Sequence, residues 1–299
     1  MKRLMCAVAA IALTAPLAAQ DKGAEVLEEM RKALGGDKLE SVKALSLEGP
    51  FRREMGPRQM EGTIAVTIQP PDRMYRSEEM EMPGGMSVER MVALNGATAW
   101  EDVKQRGGMA GGMIVMRGPE GRELDPKALE EARLRRTRTE MSRYLLALLG
   151  ARGLQPTYVA VAEAPDGKAD VLEVKNEQGA AVRLFVDQQT HLPLMLQYQE
   201  VRPRMQFAGP GGRGGLGGGR GGGERGQRPD PEEIRRRMAA QPPPAPSTVS
   251  LFLADYKNVD GIMLPHRLTQ SVDGKPVEEW NLEKVKVNPS IKADLFEKK

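Results

Sequence analysis

Apolar and polar residues alternate with a period of two along most of this 299-residue chain, and with a helical period in only two places. The first is 24–34, where Leu27, Met30 and Leu34 share a face and Gly35-Gly36 end the run. Strand alternation follows. In 44–53, Leu45, Leu47, Gly49 and Phe51 alternate with Ser46, Glu48 and Pro50, and in 60–69, Ile64, Val66 and Ile68 alternate with Thr63, Ala65 and Thr67. Further strands are predicted over 73–79, 87–94 and 97–100, the last after an Asn95-Gly96 hairpin turn. Asp125-Pro126 then opens the longest helix, with a capping acid and a first-turn proline. Arg133, Arg135, Arg136 and Arg138 make its first half polar; 144–149 is apolar on nearly every side, and Gly150 ends it. An all-apolar helix end must be covered, either as a plain core helix or as a lid over a lipophilic groove. Strand patterns resume at 157–164, 169–176, 180–187, 193–201, 248–256, 262–271 and 277–287, separated by turns such as Asp260-Gly261 and Asp273-Gly274. These spacings leave no room for helical crossovers, so the pattern predicts an α+β fold built on one large antiparallel sheet with two helical segments.

Two segments stand outside that pattern. Residues 1–20 read as a secretory signal peptide: Lys2 and Arg3, an apolar stretch over 4–13, Pro16, then the small residues Leu17-Ala18-Ala19. The expected location is periplasmic. Cys6, the one cysteine, lies inside that signal and too near the start for a lipid-attachment site, so no lipid anchor is expected and residues 21–299 carry no thiol. Residues 203–246 hold 12 of the 33 glycines, 8 arginines and 4 acids, with Pro242-Pro243-Pro244 near the end. Such a stretch has little to bury, and the expectation is a disordered Gly/Arg/Pro-rich loop inserted between two strands, with a short helix over 231–240. Its Arg-Gly-Gly repeats come with Phe207 as the only aromatic, and no nucleic-acid partner is expected.

Charge is redistributed once those segments are set aside. The formal +3 of the chain includes +2 from the signal and +4 from the insertion, leaving −3 on the rest. The sequence pI near 8.9 therefore says nothing about the folded part.

Candidate chemistry is sparse. His191 sits in a turn and His266 in a strand, and no His-x-His, His-x-x-His or His-Glu-x-x-His pair, nucleophile elbow or phosphate loop exists. Glu78-Glu79 and Glu278-Glu279 are neighbours along strands, so each pair points to opposite faces and cannot share a proton. No catalytic residue, metal site or cofactor is expected, and the reading is not an enzyme. Methionine is the richer signal: ten of 18 fall between Met55 and Met116. Thioethers at Met80, Met82 and Met86 are soft ligands of the kind that bind copper(I). The favoured reading is a deformable apolar lining or core, with Gly107 to Met113 as a loop at a cavity mouth.

Four patches, in order along the chain, resemble the bacterial outer-membrane lipoprotein-sorting (LolA-like and LolB-like) family. They are 69–75 around Pro70-Pro71, Leu94-Asn95-Gly96 through Trp100, 184–193 ending in Leu192-Pro193, and 256–267 with Val259-Asp260-Gly261 and Leu264-Pro265, followed by 287–296. The resemblance implies that 21–299 is one domain, a curved antiparallel half-barrel whose concave side is covered by helices and encloses an apolar cavity for acyl chains. It implies lipid or lipoprotein acyl chains as partners, transient membrane contact, and a monomeric carrier or sensor. On that reading Ile64, Val66, Ile68, Met74, Met91, Trp100, Tyr144, Leu145 and Leu149 line the cavity. Both faces of 63–69 are free of charge, which suits such a lining. The alternative reading is an envelope stress-sensing or scaffold module that recruits a protein partner through the 203–246 loop.

Overall fold

The computed structural model describes residues 15–56, 58–82, 85–107, 125–150, 153–164, 167–175, 181–201 and 245–298. The 203–246 insertion and the Gly107 to Met113 loop lie almost wholly outside them. So does the expected helix over 231–240.

The described chain is one antiparallel sheet with two long helices. Five strands come first: β1 (Leu45–Met55), β2 (Arg58–Gln69), β3 (Arg73–Met82), β4 (Met86–Asn95) and β5 (Thr98–Arg106). After the helix α2 (Pro126–Leu149) come β6 (Thr157–Ala164), β7 (Gly167–Lys175), β8 (Ala181–Asp187), β9 (Pro193–Glu200), β10 (Ser247–Val259), β11 (Ile262–Val272), β12 (Lys275–Asn281) and β13 (Lys284–Val287). Their order across the sheet is β5-β4-β3-β2-β1-β12-β11-β10-β9-β8-β7-β6, with β13 also on β1. Each half is thus a meander, and the halves meet where β1 pairs with β12. The sheet is open, with β5 and β6 at its edges.

Local chemistry explains the turns and caps. Asp260-Gly261 and Asp273-Gly274 have positive φ at both residues (55° and 89°, 49° and 78°), the geometry of the tight hairpin turn that suits strand twist. α2 begins where the Asp125 carboxylate accepts from the Lys127 backbone N–H, with Pro126 next. It ends at Gly150 in the left-handed conformation, φ 55°. The first helix, α1 (Ala15–Leu34), starts nine residues before the pattern predicted and includes the end of the expected signal segment. The predicted single strand 277–287 is broken by Leu282 and Glu283 into β12 and β13, both of which pair with β1.

The sheet is strongly curved. Arg136 of α2 contacts Glu101 on β5, while Arg143, seven residues later, contacts Glu200 on β9. Seven helical residues advance about 10 Å, whereas eight strand spacings on a flat sheet would be about 38 Å. The sheet therefore wraps around α2, the half-barrel with a helix-covered concave face that the sequence suggested. α1 lies on the same side, against β6 and β11, and Arg31 ties the two helices together by donating to the Leu149 and Gly150 carbonyls. One buried cluster joins α1, α2 and the concave face, including Met30, Leu34, Ile64, Ile68, Met141, Leu148, Leu184 and Leu268.

Candidate functional site

Strand register decides which side chains face α2. Ile68 is opposite Met74 and Val66 is opposite Arg76, while Arg76 is opposite Val92 and Val92 opposite Glu101. Ile64, Val66, Ile68 and Met74 are therefore on the concave side, all at most 1% exposed. Tyr144 and Leu149 of α2 are buried in the same cluster, and Leu145 packs against it half-buried. Seven of the nine expected lining residues thus come together beneath or on α2.

Met91 and Trp100 do not. Tyr75 is opposite Ala93, and Ala93 opposite Trp100, while Met91 is opposite Ser77. Both therefore lie on the convex side. There the Trp100 indole N–H donates to the Phe296 carbonyl at 2.8 Å and its ring is tilted against Tyr75. A single-turn helix (Ala293–Phe296) near the C-terminus covers this patch. Alternation fixed the parity within each strand, but only cross-strand register, invisible in one sequence, relates parity between strands.

The concave face also holds charge that the uncharged stretch 63–69 gave no sign of. Glu78, opposite Ile64, is 1% exposed. Its oxygens sit 2.9 Å from Arg53 Nη2 and 3.3 Å from Arg76 Nε, held by charge at ion-pair distance rather than by aligned hydrogen bonds. Arg53 donates in fork fashion to Glu278 at 2.8 and 3.0 Å. The Trp280 indole N–H also donates to Glu278. Arg76 reaches Glu140 of α2 at 2.5 Å, and Tyr144 donates weakly to the same carboxylate at 3.4 Å. One strand further out, Glu101 accepts from Arg90 of β4 and Arg136 of α2. Acid and base thus alternate from β12 through β1 and β3 to α2, with a second group on β4 and β5.

Electrostatics follow from that alternation. Burial alone would raise the Glu78 carboxyl, but Arg76, Arg53 and Arg90 outweigh it and hold it below the usual carboxylate range. Glu101 is likewise lowered, with burial opposed by Arg90 and Arg136. For Arg53 and Arg76, burial would favour losing the proton, and the neighbouring carboxylates reverse that, so both stay charged. Burial, and next the charge on Glu140, push the Tyr144 hydroxyl well above its ordinary value. A carboxyl lowered by folding stabilises the fold above its unfolded pKa of about 4.3, and that contribution is lost as pH falls through the depressed native value. The urea midpoint should therefore be flat from pH 7 to 5 and drop below about pH 4.3. Glu101→Gln should make that drop shallower, and an unchanged acid limb would contradict this assignment.

Among the described residues no group of three or more His, Cys, Asp or Glu could hold a metal ion. The histidines lie apart: His191 is 3.5 Å from Glu29, and the His266 ring lies 3.1 Å from the Leu264 carbonyl oxygen. Two cavities of about 300 and 320 Å3 flank the core. One is bounded by Lys43, Arg73, Lys292 and Phe296, the other by Leu27, Arg31 and Leu154. Neither touches the nine expected residues, and the concave strands on which Ile64, Val66, Ile68 and Met74 stand are covered by α2.

No family model and no curated protein sequence matches the chain. Among solved structures it is similar to a LolA superfamily protein from Nitrosomonas europaea, at 10% identity and a TM-score of 0.47 over 92% of this chain and 97% of that one. It is also similar to a DUF1329 family protein from Desulfovibrio piger, at 10% identity and a TM-score of 0.46, covering 93% and 97%. A third is an outer membrane lipoprotein-sorting protein domain from Vibrio parahaemolyticus, at 11% identity and a TM-score of 0.44, with the same coverage. Among the described residues, no helix is long and apolar enough to cross a membrane.

Proposed function

We propose that this protein is a periplasmic, non-enzymatic binder of lipid or lipoprotein acyl chains, serving as a carrier or sensor in outer-membrane lipoprotein sorting. The acyl chain lies between α2 and the concave face, on Ile64, Val66, Ile68 and Met74, with Tyr144, Leu145 and Leu149 closing over it. The observation that carries this reading is the division along α2. Its last turns, 144–149, cover the concave face largely through non-directional apolar contact, which methylene groups can replace at about 25 cal/mol per Å2. Its fastenings to the sheet are largely charged: Arg136 to Glu101, Arg138 to the Gly96 carbonyl, Glu140 to Arg76 and Arg143 to Glu200. Arg136 is 55% exposed, so water replaces its partner at little net cost. Lifting α2 thus exposes the apolar strip of the concave face together with Arg76, whose Glu140 partner leaves with the helix, and water takes over these charged contacts as they open.

Native mass spectrometry of protein from an envelope fraction should show a bound lipid, and the delipidated protein should bind one fluorescent fatty acid per chain. A chain with no lipid and no fatty-acid affinity would end this reading.

A further inference from the structure

The methionines at the end of β3 and β4 form an assembly that the acyl-chain reading does not use. Met82 and Met86 are directly opposed across the β3–β4 hairpin. Met80 is two residues back on the same face, opposite Gly62 of β2. Met60, two residues from Gly62, shares that face and is 6% exposed. Register therefore places four thioethers at neighbouring positions on three adjacent strands, beyond the Glu78 ion pairs and toward the hairpin end. Opposed positions in an antiparallel pair have Cβ atoms about 5 Å apart and diagonal ones about 7–8 Å. Methionine is unbranched, with three rotatable side-chain bonds, so such positions can converge on one point.

The four are not equivalent. The Met80 sulfur accepts from Arg53 Nη1 at 3.9 Å and is engaged there. Met60 is buried, while Met82 and Met86 are half-buried at the hairpin. That gives a closed floor and an open side, as an entry path requires. Arg53 does not bar a cation, because Glu278 and Glu78 face it at 2.8 and 2.9 Å and offset its charge. Neutral sulfur ligands suit a soft ion of low charge: a divalent ion would remain uncompensated in a half-buried site, and thioethers favour copper(I) over calcium, magnesium or manganese.

We propose that Met60, Met82 and Met86 form a thioether site for copper(I). It stands independently of acyl-chain binding, since its ligands lie at the β3–β4 hairpin end and not under the apolar half of α2.

The test is an anaerobic titration of the full chain with copper(I) against a colorimetric chelator such as bicinchoninate. One equivalent should be withdrawn. Replacing two ligands in Met82→Leu/Met86→Leu should weaken binding by more than about 100-fold, beyond the about 10–100-fold that loss of a mere supporting residue costs. Its thermal melt should be unchanged, as the exchange is close in volume. Met109→Leu/Met113→Leu/Met116→Leu should bind as the parent does. In methionine-methyl-labelled parent protein, redox-inert silver(I) should shift the Met60, Met82 and Met86 methyl signals, a readout that holds even if the double variant folds poorly. No copper withdrawn, undiminished binding in the hairpin variant, loss of binding in the 109/113/116 variant, or silver shifts elsewhere would each overturn the proposal.

Discussion

Glu78→Ala should lower the stability of the fold by about 3–5 kcal/mol, read as a fall in the urea midpoint. The magnitude comes from what is left behind rather than from the pair itself. Glu78 is 1% exposed and lies between Arg53 and Arg76, whose side chains are 22% and 14% exposed. Removing the carboxylate leaves two half-desolvated guanidinium groups, with Glu278 and Glu140 as the remaining counter-charges at ion-pair distance among the described residues. Adding Arg76→Met to Glu78→Ala should restore part of the loss, because one unmatched charge goes with it. A double-mutant cycle over the two positions should therefore show coupling above about 0.5 kcal/mol. A Glu78→Ala midpoint within error of the parent would mean that the ion pairs on the concave face are solvated and structurally idle.

The second large effect belongs to Gly49. At this point β1 changes neighbours: Leu45 to Glu48 pair with β13, and Phe51 to Arg53 pair with β12. The break at Leu282 and Glu283 crosses directly over it, with the Glu283 N–H donating to the Glu48 carbonyl at 2.9 Å. A Cβ on Gly49 would collide with the Asn281 carbonyl oxygen and lie 2.8 Å from the Leu282 Cα. Both are backbone atoms, so no rotamer change relieves the clash. Gly49→Ala should cost about 3 kcal/mol, at the upper end for overpacking. It should also move Glu278 relative to Arg53, since their strands separate at that crossing. Gly36→Ala is the control: a Cβ there meets nothing within 4 Å, so any loss reports only its φ of 57°. Equal stability of Gly49→Ala and the parent would refute the crossing geometry.

The strands and both helices were legible in the sequence because each is a local pattern. The 157–164 and 262–271 runs coincide with β6 and β11 to within a residue, and Asp125-Pro126 with Gly150 bounded α2 correctly. The site was half legible. Ile64, Val66 and Ile68 read as an apolar face within one strand, and the Tyr144 to Leu149 end of α2 demanded cover. Met91 and Trp100 went to the wrong side because register is a property of two strands, and nothing in 86–106 alone states it. The group of Glu78 with half-buried Arg53, Arg76 and Glu278 was missed for a related reason. Each charge looks solvated in its own strand, and only the Arg53–Glu278 register pair, 225 residues apart, makes them partners.

The central claim is that an acyl chain lies between α2 and the concave face, and the two tryptophans test it directly. Trp280 is on the concave side, its ring 6.1 Å from that of Tyr144 on α2, whereas Trp100 is on the convex side against Phe296. Each can be observed alone, in Trp100→Phe and Trp280→Phe proteins, during titration with a bromine-labelled fatty acid that quenches only nearby indoles. Saturable quenching of Trp280, with Trp100 unaffected at the same concentrations, is the expected result. Equal quenching of both, or of Trp100 alone, would place the ligand elsewhere and contradict the account.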